Sequence, residues 1–143
     1  MKKFCSKAIS ILLVLSVVLC FAGCSSKIAK TGLWENATYV EDTTLGDGAT
    51  PITVIISAEK KEVKFTINTD EVNVASALLE HSLVSGDSGD FGLYIKTANG
   101  ITADYAVDQS YWAFYINGEY ATRSTELTPI TENAVYKLEY TKD

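Results

Sequence analysis

Five of the chain's eight tyrosines fall between residues 94 and 120: Tyr94, Tyr105, Tyr111, Tyr115 and Tyr120. A phenol ring offers a flat apolar face and a hydroxyl that can stay wet, so these side chains suit packing against a flat ring or a sugar. Tyr111 and Tyr115 fall on the same side of one extended stretch, opposite Trp112, and Asn117 follows at a turn. Tyr94, Tyr105, Tyr111, Tyr115 and Asn117 are therefore the expected ligand-binding residues. The competing use of those tyrosines is to finish a sheet surface or a second core.

Other chemistry finds less support. Asp87, Asp90, Asp104 and Asp108 offer hard oxygen ligands of the kind Ca²⁺ takes. That ion needs about six to eight convergent oxygens, and the spacing here does not follow the EF-hand pattern. These four are the only metal candidates, and a solvated acidic loop is the expectation. His81 is the sole histidine and cannot build a two-histidine site. Ser82, Ser85 and Ser88 lie nearby without a Gly-x-Ser-x-Gly or Ser-x-x-Lys arrangement, so no base is placed to activate a nucleophile. No pair of carboxylates stands out for acid–base work, and no glycine-rich loop suits a phosphate. The reading is a binding protein without a catalytic set and without a resident cofactor.

Strands and one helix must position the tyrosines. Residues 34–42 are expected to be extended, with Trp34 and Tyr39 as apolar points, before a turn at Gly46-Asp47-Gly48. Residues 52–57 are β-branched and apolar, and residues 62–68 alternate with Val63, Phe65 and Ile67 on one side, which predicts a hairpin. The period then changes. Asn73 can cap a helix from Val74 to Leu83, with Val74, Ala77, Leu78 and His81 on one side and Gly86 as its stop. Ser85 to Asp90 reads as a flexible acidic loop, and residues 91–96 and 101–105 as extended, around an Asn99-Gly100 turn. Asn117-Gly118 suits a type I′ hairpin, because both positions tolerate positive φ. It puts Trp112, Phe114 and Ile116 on one face and Tyr111, Ala113 and Tyr115 on the other. The last strand, residues 134–140, turns Tyr136, Leu138 and Tyr140 one way. Strands, one helix, then strands predict an α+β domain: a mixed or antiparallel sheet with one short helix packed across it.

The N-terminus carries a different message. Lys2, Lys3 and Lys7 precede an uncharged apolar run over residues 8–22. The run is shorter than the roughly 20 residues of a spanning helix. A charged start, a short apolar run and small residues at its end make a secretory signal. The sequence Phe21-Ala22-Gly23-Cys24 resembles the bacterial lipobox, with Phe21 where Leu is usual. The resemblance implies cleavage after residue 23, diacylation of Cys24, a tether over residues 24–33, and one domain over residues 34–143. Two acyl chains on one cysteine anchor firmly where one would be marginal. The expected location is the extracytoplasmic face of the cell membrane.

Cleavage would remove three lysines and leave 9 basic against 18 acidic residues, a formal net charge of −9. Such a surface repels nucleic acid. Cys5 and Cys20 would leave with the signal, so the mature domain holds no disulfide, no thiolate metal site and no cysteine nucleophile.

Several motifs together resemble a known family. They are Phe91-Gly92-Leu93-Tyr94, Asn99-Gly100-Ile101, Tyr111-Trp112, Tyr115-Ile116-Asn117-Gly118-Glu119 and the helix start Asn73-Val74-Ala75-Ser76-Ala77-Leu78. Residues 52–141 look like a domain of unknown function homologous to the C-terminal, β-grasp-like domain of the animal cobalamin carriers transcobalamin and intrinsic factor. Many members carry Asp-Gly-Asp where this chain has Thr131-Glu132-Asn133. The resemblance implies a β-grasp-like fold and a possible corrinoid ligand, handed to a membrane transporter. In the animal carriers another, helical domain holds most of the corrinoid, so the transfer is analogy. A surface protein-interaction or adhesion module, using a free strand edge, is the alternative.

Overall fold

The computed structural model describes residues 26–143. The expected signal and the Cys24 lipidation site lie outside those residues. A 3₁₀ turn at Gly32–Asn36 opens the domain. Then follow β1 (Thr43–Leu45), β2 (Thr50–Ala58), β3 (Lys61–Thr69), helix α1 (Val74–Glu80), β4 (Val84–Gly89), β5 (Gly92–Ala98) and β6 (Ile101–Thr102). Helix α2 (Tyr105–Asp108), β7 (Ser110–Ile116), β8 (Glu119–Tyr120) and β9 (Val135–Lys142) complete it.

Six strands form one sheet in the order β1-β3-β2-β9-β7-β8, and β4-β5-β6 form a second. The hairpin β2–β3 closes through Glu59 and Lys60, whose φ values of 51° and 61° are those of a type I′ turn. Strand β9 then inserts parallel to β2 and antiparallel to β7. A central parallel pair, β2–β9, with antiparallel β3 and β7 beside it and β1 parallel to β3 at one edge, makes the mixed sheet expected of a β-grasp-like α+β domain. Alternation decides which side is dry. Ile52, Val54 and Ile56 of β2 and Val63, Phe65 and Ile67 of β3 are buried, as are Tyr136 and Leu138 of β9. They meet Val74, Ala77 and Leu78 of α1 and Ile95, Ala98 and Ile101 of the small sheet in one core.

Four local expectations are corrected. Trp34 lies in the 3₁₀ turn rather than a strand, wholly buried, its indole N–H donating to the Ala58 carbonyl at 3.0 Å. A buried tryptophan needs such a partner, and the turn aims it there. The helix ends at Glu80 instead of Leu83, because Ser82 takes φ 52°; Gly86 is not its stop. Ser85 to Asp90 is not a flexible loop: most of it is β4, which pairs with β5. A Cβ at Gly86 would collide with the Tyr94 carbonyl oxygen where the register shifts, so a residue poor in β propensity is what the close approach requires. Tyr105 starts α2 rather than ending a strand, because Asp104 caps it through the Ala106 amide at 3.0 Å. Within the segment read as a tether, Ile28 packs against the core and its amide donates to the Val40 carbonyl at 2.8 Å.

Candidate functional site

The Asn117-Gly118 turn, with φ values of 48° and 84°, sets the register of β7 against β8 and aligns Tyr115 with Tyr120. Their rings meet edge to face at 5.5 Å. Four residues earlier on the same face stands Tyr111, roughly 13 Å along the strand at about 3.3 Å per residue. The ring of Tyr105, projected from α2, lies 6.5 Å from that of Tyr111. Ala113, between Tyr111 and Tyr115, is buried. Two tyrosine pairs with a small residue between them thus mark one solvent-side face of the large sheet. The opposite face of β7 carries Trp112, which belongs to the core.

The hydroxyl of Tyr105 donates to Asp143 Oδ2 at 3.0 Å, and this bond, with the charge of Asp143, raises its pKa. Loss of solvent, then the charge of Asp143, raises that of Tyr111. Both phenols are therefore neutral donors across the ordinary pH range. Tyr94 stands on β5, in the other sheet, half exposed and near enough to Tyr105 to contribute a minor part of its shift. The structure thus groups Tyr105, Tyr111, Tyr115 and Tyr120, with Tyr94 beside them on a separate element. Asn117 is occupied by its own turn: its Oδ1 accepts from the Val135 amide at 2.9 Å. It also lines a separate pocket of about 360 Å³ with Arg123 and Tyr136.

The four aspartates do not converge. Asp87 pairs with Lys96 at 2.7 Å, and Asp104 caps α2. Asp108 accepts from Lys142 at 2.7 Å and from Ser110, which lowers its pKa to about 2. Asp90 is exposed at the β4–β5 turn. Among the described residues no three His, Cys, Asp or Glu side chains are grouped to hold a metal ion. His81 is mostly buried beside Gly46, and its Nε2 has no hydrogen-bond partner among the described residues.

Between the two sheets lies a cleft of about 120 Å³, walled by Leu93 and Ile95 of β5 and by Trp112 and Phe114 of β7. Ser124 and Thr125 also line it, and the hydroxyls of both are buried without a hydrogen-bond partner among the described residues. They come from the long β8–β9 connection, where nothing in residue type or spacing announces a site.

Comparison with known proteins fits this architecture. Residues 71–141 match the family model of DUF4430, a domain of unknown function. A crystal structure from Ruminococcus gnavus, described as a "putative metal binding protein", superimposes with a TM-score of 0.63 at 29% identity over 66% of this chain and 99% of that one. Haptocorrin in complex with Cbi superimposes with a TM-score of 0.50 at 13% identity. The match covers 68% of this chain and 26% of haptocorrin. No curated protein matches the chain. The fold is thus the α+β fold that haptocorrin also contains.

Proposed function

We propose that this protein is a non-catalytic binding module that captures a flat small molecule on the tyrosine face of its large sheet, with a corrinoid as the ligand to try first. The carrying observation is the two tyrosine pairs, Tyr105–Tyr111 and Tyr115–Tyr120, on one side of β7. Their rings offer π faces, and their hydroxyls stand at the rim, that of Tyr105 held by Asp143. Haptocorrin, which shares the fold, is known in complex with Cbi, and that supports the choice of ligand. A metal ion is less well supported, because Asp87, Asp104 and Asp108 are each engaged elsewhere.

On this reading the signal is removed, Cys24 carries two acyl chains, and the domain works at the outer face of the membrane beside a transporter. Mass spectrometry of native material should find a diacylated Cys24 at the N-terminus; an intact Met1 with an unmodified thiol would overturn the anchor. Binding is tested by calorimetric titration with cyanocobalamin and cobinamide. Saturable heat at micromolar ligand is expected, weakened roughly two- to tenfold by Tyr111→Ala or Tyr115→Ala, as the loss of one ring contact implies. Absence of heat at high micromolar ligand would remove the corrinoid.

A further inference from the structure

The cleft between the sheets is a second place where a ligand would gain. Its walls are apolar: Leu93 and Ile95 on one side, Trp112 and Phe114 on the other. Its lining includes Tyr94 and the hydroxyls of Ser124 and Thr125, both buried and both lacking a partner among the described residues. Thr125 is only 3% exposed. The backbone that carries them is fixed. The Ser124 carbonyl accepts from the Thr128 hydroxyl at 2.8 Å, and the Thr125 carbonyl from the Ala75 amide at 3.2 Å. The backbone is held while the side-chain hydroxyls make no hydrogen bond among the described residues. Such a group costs about 1–3 kcal/mol when buried unsatisfied, so an occupant that completes the bonds recovers that cost.

Size and lining narrow the occupant. The volume of about 120 Å³ falls near the roughly 150 Å³ in which an apolar cavity is known to take benzene. No ionised side chain lines it. An ion entering would lose part of its water without a counter-charge, which disfavours charged ligands. Hydroxyls both donate and accept, and the tryptophan and phenylalanine rings favour a second ring at offset or edge-to-face geometry. We infer that this cleft binds a small, flat, uncharged ring bearing one hydrogen-bonding heteroatom, either as a free compound or as a substituent of a larger ligand. Tyr94 also lines the cleft, but the site is distinct from the Tyr105–Tyr111 and Tyr115–Tyr120 pairs and does not rest on them.

Phenol is the probe, benzene its control without a heteroatom, and the two indole N–H resonances of the full domain are the readout. Trp112 lines the cleft, while Trp34 is sealed in the core and serves as an internal reference. The expected result is a saturable shift of the Trp112 signal with phenol at millimolar concentration while Trp34 stays still. Thr125→Val and Ser124→Ala should each weaken phenol roughly three- to tenfold without weakening benzene. Retained benzene binding shows that each variant is folded. Leu93→Phe, which fills the cleft, should abolish both. A Trp112 signal that does not saturate, or moves in step with Trp34, would overturn the site. So would hydroxyl variants that bind phenol as the parent does, because the two hydroxyls would then contribute nothing to recognising the heteroatom. A corrinoid that fails to bind while phenol binds would remove the tyrosine-face reading and leave this one standing.

Discussion

The two tryptophans sit at two seams of the same core, and the seams are finished differently. Trp34 is wholly buried, and its indole N–H reaches the Ala58 carbonyl. Beside it Asn99, also buried, accepts from the Tyr39 amide at 2.8 Å and donates to the Tyr39 carbonyl at 2.9 Å, as a strand partner would. Gly100 lets that turn approach the Asn36 backbone, where a Cβ would collide. Trp112 has an equivalent bond, to the Lys96 carbonyl at 3.2 Å, yet faces a cleft with two unpaired hydroxyls. The first seam is closed by paired polar groups and serves stability. The second keeps free volume and free hydrogen-bonding capacity, which is what a binding site needs and a purely structural seam lacks.

Substitutions should separate the two seams. Trp34→Ala removes the largest fully buried side chain and should cost about 3–5 kcal/mol in chemical denaturation. Asn99→Ala leaves the Tyr39 amide and carbonyl unpaired and should cost about 1–3 kcal/mol by the same measurement. Thr125→Val removes a hydroxyl that satisfies nothing; stability should stay level or rise by up to about 1 kcal/mol. A loss as large as that of Asn99→Ala would erase the contrast.

The smallest effect is electrostatic, at the rim of the closed seam, where Asp108 and Lys142 share a groove with Leu33 and Glu59. The folded protein holds the Asp108 pKa at about 2, below the usual 3.8, chiefly through Lys142 and then Ser110. The native carboxylate thus resists protonation more than the unfolded one. Its stabilising contribution is full above about pH 4 and is lost as pH falls towards 2. The melting temperature of Asp108→Asn should lie below the parent's at pH 5, and the gap should close between pH 4 and pH 2.

Much of the closed architecture was legible in the residues. The alternation of Val63, Phe65 and Ile67 names the dry face of β3, and Asn117-Gly118 names its turn by φ alone. Strand β4 was illegible because Ser85, Gly86 and Asp87 lack β propensity; pairing with β5 overrides that. The Asn99–Tyr39 clamp spans 60 positions, and no local pattern encodes such a contact. Of the expected ligand residues, Tyr111 and Tyr115 were placed on one face by period alone, whereas the nearness of Tyr105 depends on the Asp104 cap. Ser124 and Thr125 left no trace in the sequence, since their significance lies in what their hydroxyls fail to meet.

On the function proposed above, the tyrosine face of β7 receives a flat ligand. Mapping amide and aromatic resonances during a cobinamide titration tests it most directly. Shifts should concentrate on Tyr105, Tyr111, Tyr115 and Tyr120, saturate together, and spare Trp34. Saturation with those four signals unmoved, or no perturbation at high micromolar cobinamide, would contradict it.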